Sequence, residues 1–212
     1  LLEEISWEGN AAPYRRGGRG RENVLTAEVM IALDFLPRTY FLAEVLRAAH
    51  GAESALSGIA AQIEDCQLSV LPPELRLEPA GTLVQPDALL ETASGYVFVE
   101  AKRIKGGSFQ REQLAREYLA VVREAKTRDP VLLLIIGSPP PVSVKGQGLR
   151  DITDAIKEQL PVVLANTGGV EGFADPVDRI PWASRGVTWS PSPNRGGGAG
   201  GVEGGQTPPW AS

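Results

Sequence analysis

Apolar residues recur at helical spacing through the first third of the chain, at strand spacing through the middle, and then stop. Leu25, Val29, Leu33 and Leu36 form one stripe at about 100° per residue, which predicts a helix beginning near Asn23. "RTYFLAEVLRAAHGA" predicts a second helix stopped by Gly51, and "SALSGIAAQIED" a shorter third. The period then changes. "CQLSVLPPELRLEPAG", "DALLET" and "YVFVEAKR" are short segments bounded by Pro, Gly and Ser, as strands are, and "ETASGY" joins the last two as a hairpin. A helix is expected from about Ser108 to Lys126, with Leu114, Tyr118, Val121, Val122 and Ala125 on one face. "VLLLIIG" is a continuous apolar run, read as a strand covered on both faces. "DITDAIKEQL" is amphipathic at helical period, and "PVVLA" is read as one more strand. Helices, a three-strand meander, a helix, a buried strand and a helix predict an α/β fold with a mixed central sheet flanked by helices. Residues 1–182 form one expected domain. Residues 183–212, dominated by Gly, Pro and Ser, are expected to be a disordered tail.

Composition removes whole classes of function. Against 26 acidic residues stand 21 Lys and Arg, a net charge of -5, so bulk positive charge does not bind this chain to nucleic acid. Cys66 and His50 are each the one residue of their type. That leaves no disulfide framework, no zinc-finger ligand set and no spare partners for a Cys-His or Ser-His-Asp site. His50 reads most simply as a residue at a helix C-terminus. No apolar run approaches membrane-spanning length and no leader pattern is visible, so the expected location is the cytoplasm.

The strand at Tyr96 to Arg103 carries the chemistry. Period two places Val97, Val99 and Ala101 on one face and Phe98, Glu100 and Lys102 on the other, so two opposite charges stand side by side where the neighbours are apolar. Thirteen residues earlier, Asp87 opens the strand that the hairpin pairs with this one. The two carboxylates therefore converge at one end of the sheet with an ammonium beside them. Hard oxygen ligands in this number suit Mg²⁺, which keeps several waters and takes further ligands from a phosphate substrate. A lysine there can orient the attacking water or steady developing negative charge.

Pro86-Asp87 followed by Glu100-Ala101-Lys102 resembles the signature of the PD-(D/E)XK nuclease superfamily, the restriction-endonuclease-like fold. The resemblance spans roughly residues 20–140. It implies an α-β-β-β-α-β core and a Mg²⁺-dependent endonuclease acting on DNA, with Mn²⁺ able to substitute. It also implies Asp87 and Glu100 as metal ligands, Lys102 as the residue assisting the water, and a homodimer. Family members often add an acidic metal ligand from the first helix, which Glu22 matches better than Glu28 because Glu22 projects onto the Leu25 stripe. Taken alone, Glu22 is a solvated first-turn glutamate favoured by the helix dipole. A glutamine on the helix after the lysine strand is matched by Gln113, with Gln110 as runner-up. Glu124-Ala125-Lys126 repeats the tripeptide on a helix, where charges two residues apart diverge and share no ion. Arg103, Lys105, Arg111, Arg116 and the N-terminal Arg15, Arg16, Arg19 and Arg21 line either a phosphate track or an ordinary solvated surface. Gly106-Gly107, expected to open the helix, would leave backbone N–H groups for phosphate. The alternative function is a catalytically inactive nucleic-acid-binding or assembly module of the same fold.

Overall fold

Each face of one mixed sheet carries its own apolar core, and the alternation along a single strand builds both. The computed structural model describes residues 21–102, 107–167 and 179–184, with backbone alone at 21–25 and 184. Helices α1 (Arg21–Phe35), α2 (Leu42–Ala48) and α3 (Glu53–Ala61) come first. They are followed by β1 (Gln67–Val70), the small hairpin β2 (Leu75–Leu77) and β3 (Thr82–Val84), then β4 (Ala88–Glu91) and β5 (Gly95–Ala101). Helix α4 (Gln113–Ala125) leads to β6 (Asp129–Ile136), and a second hairpin, β7 (Val142–Val144) and β8 (Gly148–Arg150), precedes α5 (Ile152–Thr167) and β9 (Trp182–Ser184). The main sheet has the order β1-β4-β5-β6-β9, antiparallel from β1 to β5 and parallel from β5 to β9.

Val97 and Val99 of β5 join Leu42, Leu46, Leu56 and Ile59 in the core beneath α1 to α3. Tyr96 and Phe98 join Tyr118, Leu119 and Ile156 in the core beneath α4 and α5. The period-two reading of this strand therefore holds, and it assigns Glu100 to the α4 face. The run at β6 is buried on both faces, with Leu132 and Leu134 in one core and Val131 and Leu133 in the other. Among the described residues no helix is long and apolar enough to cross a membrane.

Several expectations are corrected. Helix α1 buries Thr26, Ala27 and Met30, whereas Val29 and Leu36 are exposed, so the predicted stripe has the wrong phase. Apolar residues surround this helix with almost no net amphipathicity, so tertiary packing, not periodicity, chooses the face. "PVVLA" lies inside α5, not in a strand: Val163 and Thr167 continue the buried positions Ile152, Ala155, Ile156 and Gln159 at helical spacing. Pro161 is tolerated on the exposed side. Helix α4 starts at Gln113 and not near Ser108, because Phe109 is held as a strand against β7, donating to the Ser143 carbonyl (2.9 Å) and accepting from the Lys145 N–H (2.9 Å). Ala183 and Ser184 complete β9 in register with Ile135 and Ile136, while the remainder of the predicted tail lies outside the described residues. His50 is more than a helix end: its backbone exchanges two hydrogen bonds with Trp182 (2.8 and 2.9 Å) and its ring stacks on the indole at 4.5 Å, covering the edge of β9.

Gly95 opens β5 where α3 crosses the hairpin turn. A Cβ there would stand 2.3 Å from Cγ1 of Ile59, a side chain itself enclosed in the core. Gly95→Ala is expected to destabilise the protein by about 1–3 kcal/mol, read as a lowered urea midpoint with an unchanged slope. An unaltered midpoint would show that Ile59 moves aside freely.

Candidate active site

The hairpin register decides which charges meet. Ala88 pairs with Val99, so Asp87, one residue before β4, stands opposite Glu100. Its backbone is held from both sides: its N–H donates to the Val99 carbonyl (3.0 Å) and its carbonyl accepts from Leu71 (2.9 Å). The Asp87 carboxylate turns across the strand and accepts the Ala101 N–H through Oδ2 at 2.7 Å. Asp87 and Glu100 are both buried, at 9% and 5% exposure.

Lys102 follows the end of β5, where its N–H donates to the Ile135 carbonyl at 2.9 Å. Its Nζ lies 2.6 Å from Glu100 Oε1 and 5.3 Å from the centroid of the Phe109 ring. Gln113 is the first residue of α4, and its Nε2 donates to Glu100 Oε1 (2.7 Å) and to Glu117 Oε1 (2.8 Å). The opposite end of the same amide, Oε1, accepts the Gln110 N–H at 3.2 Å. Gln110 therefore braces Gln113 from outside the helix and does not compete with it.

Burial dominates the electrostatics. It pushes the Glu100 carboxyl up to about 7, with Asp87 adding to the rise and Lys102 and Gln113 opposing it. Glu117 is raised well above the ordinary carboxylate range, first by burial and then by the Glu100 charge. Glu100 and Glu117 are thus both raised beside the Lys102 ammonium, and the charge of either costs less when a proton or a cation arrives. Among the described residues no group of three or more His, Cys, Asp and Glu is arranged to hold a metal. Asp87 and Glu100 are the two carboxylates that this end of the hairpin brings together.

Other predicted residues divide. The Glu22 side chain lies outside the described residues, as do Arg103, Lys105, Gly106, Arg15, Arg16 and Arg19 and the side chain of Arg21. Glu28 is exposed. Arg116 pairs with Glu112 at 3.5 Å and Arg111 is exposed. Gly107 does not open the helix, because α4 begins six residues later. Glu117 was not anticipated. Its signal was a carboxylate one turn after Gln113 on the flank of the Leu114–Tyr118–Val121 stripe, a position that helical geometry brings beside Gln113. Neither a family model nor a curated protein matches this chain.

Proposed function

We propose that the chain is a Mg²⁺-dependent endonuclease hydrolysing phosphodiester bonds of DNA, in the manner of the PD-(D/E)XK superfamily that its signature residues resemble. The observation that carries this reading is the meeting of Asp87, Glu100 and Lys102 at one end of the β4–β5 hairpin, with Gln113 bound to Glu100. Asp87 and Glu100 would hold the ion as hard oxygen ligands, and their crowding fits a divalent cation that leaves most of its shell to water and phosphate. When bound, Mg²⁺ supplies polarisation of the phosphoryl oxygen and a more acidic water. Lys102, partly accessible at 18% of its side chain, donates N–H groups toward the attacking water or the negative charge developing on the phosphate. Gln113 holds the Glu100 carboxylate against rotation.

The second reading is a noncatalytic nucleic-acid-binding or assembly module. The direct Lys102–Glu100 ion pair favours it, since that contact satisfies both charges without an ion. A nicking assay on supercoiled plasmid and on single-stranded DNA separates the two. Cleavage in Mg²⁺ that EDTA stops supports the nuclease. DNA retention without cleavage at any Mg²⁺ or Mn²⁺ concentration supports the module.

A further inference from the structure

Helix α4 buries a carboxylate where a hydrocarbon would pack better. Glu117 is 5% exposed, beside Leu114, Tyr118 and Val121 on the core face of the helix. Its Oε1 accepts from Gln113, and its Oε2 is buried with no hydrogen-bond partner among the described residues. An unsatisfied buried oxygen weakens the fold, and such groups in native proteins call for a reason. The geometry supplies one. Gln113 has two amide N–H groups and one oxygen, and all three are engaged: the oxygen by the Gln110 N–H, the nitrogen by Glu100 and Glu117. With Glu117 removed, Nε2 keeps a single carboxylate contact and the amide can swing away from Glu100.

We infer that Glu117 is a positioning residue, which locks the Gln113 amide between two carboxylates and through it sets the Glu100 oxygen that Lys102 also contacts. Glu117 touches neither substrate nor ion in this arrangement; it acts one residue removed. The same hydrogen bond explains why position 117 carries a long side chain with an acceptor oxygen, which reaches Nε2 from one helical turn away.

The metal readout rests on the nuclease reading, so the test has a second arm that does not. Glu117→Met keeps length and helix preference, removes the acceptor and removes the orphaned oxygen; Glu117→Gln keeps an acceptor. In calorimetric titration with Mg²⁺, the Met variant is expected to bind about tenfold more weakly and the Gln variant within about threefold of the parent, the range seen when partners of metal ligands are altered. The metal-free Met variant is expected to melt no lower than the parent, which a purely structural role would not allow. In a Gln113→Ala background the Met substitution should change Mg²⁺ affinity no further. Independently, the side-chain amide protons of Gln113, identified in nitrogen-15 spectra by their loss in Gln113→Ala, should show one proton moved toward the free-amide position in Glu117→Met and partway in Glu117→Gln. A parent chain that binds no Mg²⁺ overturns the nuclease reading and leaves the spectra to decide the positioning. Gln113 protons unmoved in both variants, or a Met effect that persists undiminished without Gln113, overturns the inference.

Discussion

Glu100→Gln is expected to reduce Mg²⁺-dependent DNA cleavage by roughly 100-fold or more, the loss typical when a group that stabilises transition-state charge is removed. The same substitution is expected to raise the melting temperature of the metal-free protein near neutral pH. Both effects have one cause. Glu100 is buried beside Asp87 and Glu117, and burial disfavours its charge even with the Lys102 ammonium in contact. A neutral amide of the same shape still accepts from Gln113 and still fills the space, but it is a poor ligand for a hard ion. Asp87→Asn should lose activity to a similar degree while keeping an oxygen for the Ala101 N–H, whereas Asp87→Ala would strand that donor. Lys102→Ala should also abolish cleavage but destabilise the protein, because Glu100 then lacks its cation. Parent-like cleavage by all three of Asp87→Asn, Glu100→Gln and Lys102→Ala would show that the chemistry lies elsewhere. A strong drop in melting temperature for Glu100→Gln would mark the Lys102–Glu100 contact as a structural pair.

Without metal, the parent is expected to lose stability relative to Glu100→Gln as pH rises from about 4.5 to about 7. The Glu100 carboxyl stands near 7 in the folded chain against an ordinary 4.5, so folding disfavours its ionisation. The folded state binds this proton more tightly than the unfolded state does. The corresponding stability is fully present below the unfolded value and is lost as pH climbs through the folded one. Its size follows from the shift and is on the order of a few kcal/mol. Glu117, raised in the same direction by burial, adds to the same slope. Urea unfolding at several pH values, parent against variant, measures the difference directly. Saturating Mg²⁺ should restore the lost stability above neutral pH in the parent and not in Glu100→Gln. Parallel curves for the two proteins would remove Glu100 as the source.

Homodimerisation, which the resemblance implies for cutting both strands of a duplex, belongs with the proposal and is checked by light scattering on the active protein.

The alternation at Tyr96 to Lys102 was legible because a strand has no choice: side chains two apart share a face, whatever packs on it. The convergence of Asp87 on Glu100 was legible for a related reason, since the short turn at Thr92–Ser94 fixes the register and with it the cross-strand partner. The stripe of α4 stood out because apolar and charged residues segregate around that helix. Helix α1 gave no such guidance, its apolar residues lying on every side, and "PVVLA" carried the β-branched signal of a strand while the contacts of Val163 and Thr167 kept it helical. The hairpins β2–β3 and β7–β8 escaped notice because segments of three residues are stabilised by what they pack against and not by their own pattern.

The sequence by itself determined the two-faced β5 and the meeting of Asp87, Glu100 and Lys102, because backbone period and hairpin register are local constraints that act within twenty or so residues. Only the tertiary structure decided that Gln113 starts its helix against Glu100, that Glu117 lies buried behind it with one oxygen unpartnered among the described residues, and which face of α1 turns inward. Those outcomes depend on where α4 and α1 come to rest on the sheet, and that position is set by the shapes of side chains far apart in the chain.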